Sequence, residues 1–450
     1  MSGKGALEYR RLSVAEHAVP RERVNANAID VTARLQDAGF TALLVGGCVR
    51  DLLLGIEPKD FDVATDATPE EVRSVFRRSR LVGRRFRIAH VRYGREIIEV
   101  STFRRAHAED ADERSHSESG RILRDNVYGT LEEDAFRRDF TINALYYNPQ
   151  TEEVLDFVGG LEDLAKRRIH FIGDTLTRTR EDPVRVLRAI RFKAKLDFEI
   201  DPAIIECFEE AAQLMADIPP ARLFDETLKL LMSGQAEQTW RELAKTPLRA
   251  TLFPASDPDS ELIVLAMRNT DQRIAEDKPV TPGFLIAVLL WQDYVARIGE
   301  LEADFKPAEA RAHAAADCLS EQHQVITIPR RFSQFARDVW GLQGRLEARS
   351  PRMVDRLLAH PKFRAGYDFL VLRSDAGEVG EAGQALGEIA DWWTSFQAAT
   401  QTEQRTMIDA LRGNQQPGTR KRRRRRSKRT GSRAQVKPAG DQDDPDSDVD

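Results

Sequence analysis

Apolar residues recur at helical spacing over residues 31–38, and a short apolar run at 41–45 stops at Gly46-Gly47, which predicts a helix and then a strand entering a turn. VRDLLLG follows as a short helix closed by Gly55. Residues 60–64 alternate like a strand. Next come Thr68 as an N-cap, Pro69 at the first helical position and Glu71 as capping-box partner, opening a helix to about Arg78. Residues 88–92 and 96–103 are β-rich runs around Tyr93-Gly94-Arg95, which predicts a hairpin. Residues 106–126 are polar and aperiodic, as expected of a loop, and strands resume at 145–147 and 154–157.

Beyond Asp182 the period changes to that of helices, as in Val184, Leu187, Ala189, Ile190 and Phe192. Pro219, Pro220, Pro254, Pro282 and Pro329 mark breaks between these helices. The expected fold class is an α+β head with a mixed β-sheet, followed by an all-α C-terminal region. The expected divisions are a flexible arm over 1–25, a head over 26–172, a helical neck over 173–245, a helical body over 246–412 and a disordered tail over 413–450.

The apolar run over 284–291 is far short of the roughly 20 residues that cross a bilayer, so it predicts a buried helix and no transmembrane segment. Lys4, Glu8, Arg10 and Arg11 leave no room for an apolar signal core, which predicts a cytoplasmic protein. Cys48, Cys207 and Cys318 are scattered without a CxxC pair and read as small core residues, and the histidines contain no HxxxH pair. The formal net charge of −5 conceals segregation. Arg420, Lys421, Arg422, Arg423, Arg424, Arg425, Arg426, Lys428 and Arg429 form a basic cluster, while the last ten residues are acidic. Such a cluster suits sequence-independent binding to RNA phosphates, or else serves as a solubilising appendage. A second basic stretch, Arg77, Arg78, Arg80, Arg84, Arg85 and Arg87, fits RNA or triphosphate as well as it fits a solvated helix end.

The candidate chemistry lies in LLVGGCVRDLLLG followed by KDFDVAT. Asp60 and Asp62 are expected on one strand face, about 6.5 Å apart, where they can grip shared magnesium ions. Gly46 and Gly47 let backbone N–H groups approach a triphosphate, and the helix after them offers a positive N-terminal dipole. GGCVRDLLLG, DFDVAT, RRDFTINALYY and EDPVRVLRAIRF occur in that order. Together they resemble the bacterial poly(A) polymerase and CCA-adding enzyme family of the polymerase-β-like superfamily.

The resemblance implies a nucleotidyltransferase that transfers AMP from ATP to RNA 3′ ends and releases pyrophosphate, with two Mg2+ ions. RNA and ATP are the implied partners, DNA is not, and no protein partner is implied. Asp60 and Asp62 match the metal-binding pair, and Asp139 is the first choice for a third catalytic carboxylate. Glu99, on the hairpin strand, is the alternative on topological grounds. Arg138 matches a residue that holds the nucleotide, and Arg50 lies in the glycine-turn motif. Asp182 and Arg185 match the pair that reads the base, at a spacing that would equally suit an intrahelical ion pair. Arg188 would contact phosphate or support Asp182. CCA addition to tRNA is the alternative activity. The 81–103, 217–231 and 360–370 segments and the arginine-rich tail look like the poly(A) branch.

Overall fold

A computed structural model of the chain describes residues 9–17, 19–83, 87–105, 115–116, 122–124 and 128–414. The head runs through β1 (Arg10–Leu12), α1 (Ala26–Asp37), β2 (Ala42–Val45), α2 (Gly47–Leu53), β3 (Asp62–Thr65) and α3 (Pro69–Val75). It continues with β4 (Ser79–Val82), β5 (Ile88–Tyr93), β6 (Glu96–Thr102), a short pair β7 (Ser115–His116) and β8 (Ile122–Arg124), and α4 (Leu131–Phe136). β9 (Leu145–Asn148), β10 (Glu153–Asp156) and α5 (Gly160–Ala165) complete it.

Eight strands form one mixed sheet in the order β1-β10-β9-β2-β3-β6-β5-β4. β3 and β6 run parallel; the other neighbours are antiparallel. Alternation along the strands assigns the faces. Val63, Ala89, Val91, Ile98 and Val100 turn into a core shared with Val31, Leu35 and Val72 of α1 and α3. The opposite face of β3, β6 and β5 is left to Asp62, Glu99 and His90. The Thr68–Glu71 capping box forms as the spacing predicts.

β11 (Arg168–Ile169) pairs in parallel with β12 (Glu199–Ile200), tying the head to the helical region. Between them lie α6 (Thr175–Glu181) and α7 (Val184–Leu196). Helices α8 (Pro202–Glu206), α9 (Phe208–Leu214), α10 (Pro220–Leu231), α11 (Ala236–Ala244) and α12 (Pro247–Leu252) succeed them. α13 (Glu261–Ala275), α14 (Pro282–Leu289), α15 (Trp291–Leu301), α16 (Pro307–Val325) and α17 (Arg330–Ala348) come next, then α18 (Val354–Leu358), α19 (Phe363–Asp375), α20 (Leu386–Ala398) and α21 (Gln401–Asn414). One contiguous core includes Leu44 and Val63 of the sheet, Leu187 and Ile190 of α7, and Leu285 and Trp340 farther on. A second core, around Leu346, Trp393 and Phe396, closes the C-terminal helices.

The α+β head and the helical remainder match the sequence expectation. Pro220 and Pro282 open helices at their first turn, and Pro329 sits at the N-cap of α17. The run over 284–291 is a buried helix entering α15. No helix among the described residues is long and apolar enough to cross a membrane. All three cysteines are buried and free.

Several differences have local causes. Arg10–Leu12, within the arm expected to be flexible, is an edge strand registered on β10. The helix from Pro69 stops at Val75, and Ser79–Val82 forms β4, because pairing with β5 recruits residues whose basic composition hid a strand. β3 begins at Asp62 and not at Asp60. The 106–126 span, expected to be a loop, is described only at β7 and β8. Arg84, Arg85 and the tail arginines lie outside the described residues.

Candidate active site

β2 delivers the chain to Gly46 beside the start of β3, since Val45 is the register partner of Asp62. Gly46 holds φ 82 and ψ −130, a conformation that side chains disfavour. A Cβ there would lie 3.6 Å from the Arg138 guanidinium and 3.7 Å from the Asn143 carbonyl. Its own N–H donates to the Leu145 carbonyl at 3.1 Å. The Gly46 N–H is thus used within the fold. Gly47 opens α2, whose leading N–H groups lack intrahelical partners.

Asp60 and Asp62 are both exposed and flank the buried Phe61, the alternation of an extended segment. On the far side of β3, Glu99 of β6 is the register partner of Asp62, so both carboxylates leave the same face. Protein crowding around Asp62, which stays open to solvent on one side, pushes its pKa up to about 6. Glu99 adds to this shift, Arg138 opposes it and Asp60 adds further. Asp60 and Asp62 enter no ion pair with any described residue.

The row continues outward. Glu99 pairs in register with His90 of β5, whose Nε2 lies 3.3 Å from the glutamate Oε1. His90 pairs in register with Arg80 of β4. Asp62, Glu99, His90 and Arg80 thus form one line across four strands.

Arg138 is held from below by Asp134, a carboxylate 1% exposed within α4. Arg138 Nε and Nη2 donate to Asp134 Oδ2 at 3.1 and 2.9 Å, and the Tyr146 hydroxyl donates to the same oxygen at 2.8 Å. Arg137 takes Oδ1 at 2.9 and 2.6 Å, together with the Arg104 backbone N–H at 3.1 Å. Burial pushes the Asp134 carboxyl up, but Arg138, Arg137 and Tyr146 outweigh it and hold the group below the usual carboxylate range. Burial likewise opposes the Arg138 charge, which Tyr146 and Asp134 more than restore. Arg138 Nη1 is left facing Gly46.

Arg50, expected near the nucleotide, is 2% exposed. It donates to Asp51 at 2.8 and 2.6 Å and to Asn143 at 2.6 Å, beside the Phe192 ring. It braces α2 against its surroundings. Asp139 pairs with Arg188. It is not a register neighbour of Asp62, as Glu99 is.

Asp182 was expected to share a helix face with Arg185. The structure instead puts it at the C-cap of α6, extended at φ −157, with Pro183 starting the turn into α7. Their side chains do not pair, although the Arg185 backbone N–H donates to the Asp182 carbonyl at 3.1 Å. Arg185 donates to Glu181 at 2.8 Å and to the Arg178 carbonyl at 2.6 Å. Asp182 Oδ2 accepts from Arg222 of α10 at 2.6 Å, while its Oδ1 is buried and has no hydrogen-bond partner among the described residues. The two side chains thus form no intrahelical ion pair, and the Asp182 carboxylate is left half-satisfied.

Asp134, His90 and Arg222 were not singled out from sequence. Asp134 carries a local signal, standing four residues before Arg138 behind the Thr130–Glu133 capping box. His90 and Arg222 carry none, because strand register and the α10 contact are tertiary.

Among the described residues no three His, Cys, Asp or Glu side chains close into a metal cage. Magnesium characteristically takes one or two carboxylates and completes its shell with water and substrate phosphates. Unpaired, mutually repelling carboxylates on an open face suit that donor set.

Residues 42–170 match the family described as Poly A polymerase head domain. Residues 197–259 match "Probable RNA and SrmB-binding site of polymerase A", and residues 303–429 match "Polymerase A arginine-rich C-terminus". Poly(A) polymerase I of Escherichia coli O6:H1 is 45% identical over 92% of this chain and 91% of its own length. A CCA-adding enzyme of Lactobacillus delbrueckii subsp. bulgaricus is 34% identical over 59% of this chain and 64% of its own. In fold, the chain resembles a solved CCA-adding enzyme in its apo form II at a TM-score of 0.59 and 21% identity, over 91% of this chain and 97% of that one.

Proposed function

The chain belongs to the poly(A) polymerase and CCA-adding enzyme family of nucleotidyltransferases, and from that premise we propose that it is a template-independent poly(A) polymerase. It transfers AMP from ATP to the 3′-hydroxyl of RNA and releases pyrophosphate. The sequence identity to a poly(A) polymerase over nearly the whole chain supports this branch, since the sequence match to a CCA-adding enzyme is weaker and covers 59% of the chain.

The observation that carries the reading is the split of Asp182 from Arg185. Asp182 Oδ1, buried and unpartnered among the described residues, can accept from the adenine N6 amino group, and Arg185 can donate toward N1. Both are held by other partners, Arg222 and Glu181, so neither collapses onto its neighbour when no base is bound. Protein groups then stand where a template base would.

At the head, Arg138 faces the Gly46 turn and is placed to hold the nucleotide. Asp60 and Asp62 would hold Mg2+, and Glu99 is the better third carboxylate because it shares the face and register of Asp62. Mg2+ bound there would supply charge that activates the attacking hydroxyl and stabilises the departing pyrophosphate. Asp139, engaged by Arg188, then orders the entry to α7. ATP and RNA as substrates fit a cytoplasmic setting.

The test is extension of an unrelated RNA and of tRNA lacking CCA, each with single NTPs and Mg2+. Long ATP-dependent tails on both RNAs support the reading. Addition limited to C, C and A on tRNA would replace it with CCA addition.

A further inference from the structure

We propose that the outer half of the catalytic sheet face is the seat of the RNA primer's terminal nucleotide, with Arg80 taking its last phosphodiester and His90 positioning Glu99. This rests on the reading of Asp60, Asp62 and Glu99 as the reacting centre.

In-line displacement at phosphorus sets the attacking and leaving oxygens on opposite sides. The Gly46 turn and the free end of Arg138 lie on the β2 side of Asp62, which makes that side the place of the triphosphate and its leaving pyrophosphate. The attacking 3′-hydroxyl must then arrive over the other neighbour of β3, which is β6. From Glu99 the exposed row leads outward through His90 to Arg80. Arg80 stands two strand spacings from Glu99, roughly 9–10 Å between backbones. A nucleotide whose 3′ end is at Glu99 spans that gap, with its 5′-side phosphate within reach of the guanidinium.

The chemistry of each residue fits. Arg80 is exposed, and no described residue forms an ion pair with it. A planar guanidinium suits the two non-bridging oxygens of a phosphodiester. A base-independent contact is also what an enzyme needs when its primer end is any RNA. His90 is partly buried between the two, with Nε2 on Glu99. It is a positioning residue, since it reaches the reaction through the carboxylate it holds.

The experiment compares wild type with Arg80→Ala on two primers, one ordinary and one whose last internucleotide linkage is a neutral methylphosphonate. Removing either the charge on the linkage or the arginine should raise the apparent constant for RNA by about ten- to a hundredfold, the range of a charge-assisted hydrogen bond. Making both changes should cost no more than making one, and the apparent constant for ATP should stay unchanged. Losses that multiply, or a shift in the ATP constant alone, would overturn the assignment.

For His90, Mn2+ affinity measured by electron paramagnetic resonance should fall in His90→Ala and recover in His90→Gln, which restores a donor toward Glu99. Equal Mn2+ affinity in all three proteins would remove its positioning role. Thermal melts confirm that the variants fold. Should the wild type add C, C and A to tRNA, the poly(A) reading fails, while the same two-primer comparison on that tRNA still decides the primer site.

Discussion

Replacing Asp134 with asparagine keeps the shape of the residue under Arg138 and removes its charge. In the native protein this one carboxylate accepts from two guanidiniums, a tyrosine hydroxyl and a backbone N–H. An asparagine there has one acceptor oxygen and turns an amide donor toward a second donor, so one arginine loses its anchor. Stripping one partner from a buried pair costs about 3–5 kcal/mol, and the isosteric change should fall near the lower end, about 3 kcal/mol. Against a domain stability of about 5–15 kcal/mol the variant still folds.

The pH dependence gives a second readout. The Asp134 carboxyl is held below its unfolded value, so its contribution is complete above about pH 4 and is lost as pH falls through the folded value. Urea unfolding curves of wild type and Asp134→Asn should therefore differ at pH 7 and begin to converge only as pH falls below about 4. Arg138, no longer fixed against Gly46, should raise the apparent constant for ATP by roughly tenfold, the worth of one charge-assisted hydrogen bond. Unfolding free energies within about 0.5 kcal/mol at pH 7, the range of ordinary surface changes, would refute the reasoning if the ATP constant were also unchanged.

Since the Asp62 pKa is pushed up to about 6, Mg2+ must displace a proton at lower pH. Calorimetric Mg2+ affinity should weaken up to about tenfold per pH unit below 6 and level off above it; a flat profile from pH 5 to 7.5 would contradict this. Glu99→Gln should nearly abolish AMP transfer while Asp139→Asn retains measurable transfer in single-turnover assays, and the reverse order would reinstate Asp139 as the third carboxylate. Asp182→Ala should raise the apparent constant for ATP and blur its preference over CTP. Unchanged discrimination in competition assays would remove Asp182 from base reading.

What could be read from the chain beforehand came from local rules. The Gly46 turn and the Thr68 cap announce themselves because their chemistry lies within a few residues. The alternation around Phe61 does so as well, since extended backbone by itself turns Asp60 and Asp62 outward. Glu99 was reachable as an alternative, because a hairpin beside β3 had to bring one of its residues near Asp62, but choosing it over Asp139 required the register. Arg50 misled for the opposite reason: its place in the glycine motif suggested a ligand, and its burial against Asp51 and Asn143 is a property of packing. Asp182 was misplaced on a helix because the helical period that begins at Val184 does not show that the backbone breaks between α6 and α7 at Asp182-Pro183, and Arg222, which holds it there, lies forty residues downstream. β4 was missed because only its partner strand makes residues 79–82 a strand.

The core that runs unbroken from the sheet through α7 joins two parts of the chain that lie far apart in sequence. Asp182 stands at the entry to α7 and Arg185 in its first turn, the carboxylates stand on β3 and β6, and Leu187, Ile190 and Val63 belong to the same buried body. A cavity opened at Leu187 or Ile190 would therefore cost about 2–5 kcal/mol of packing that the sheet and the α7 entry share.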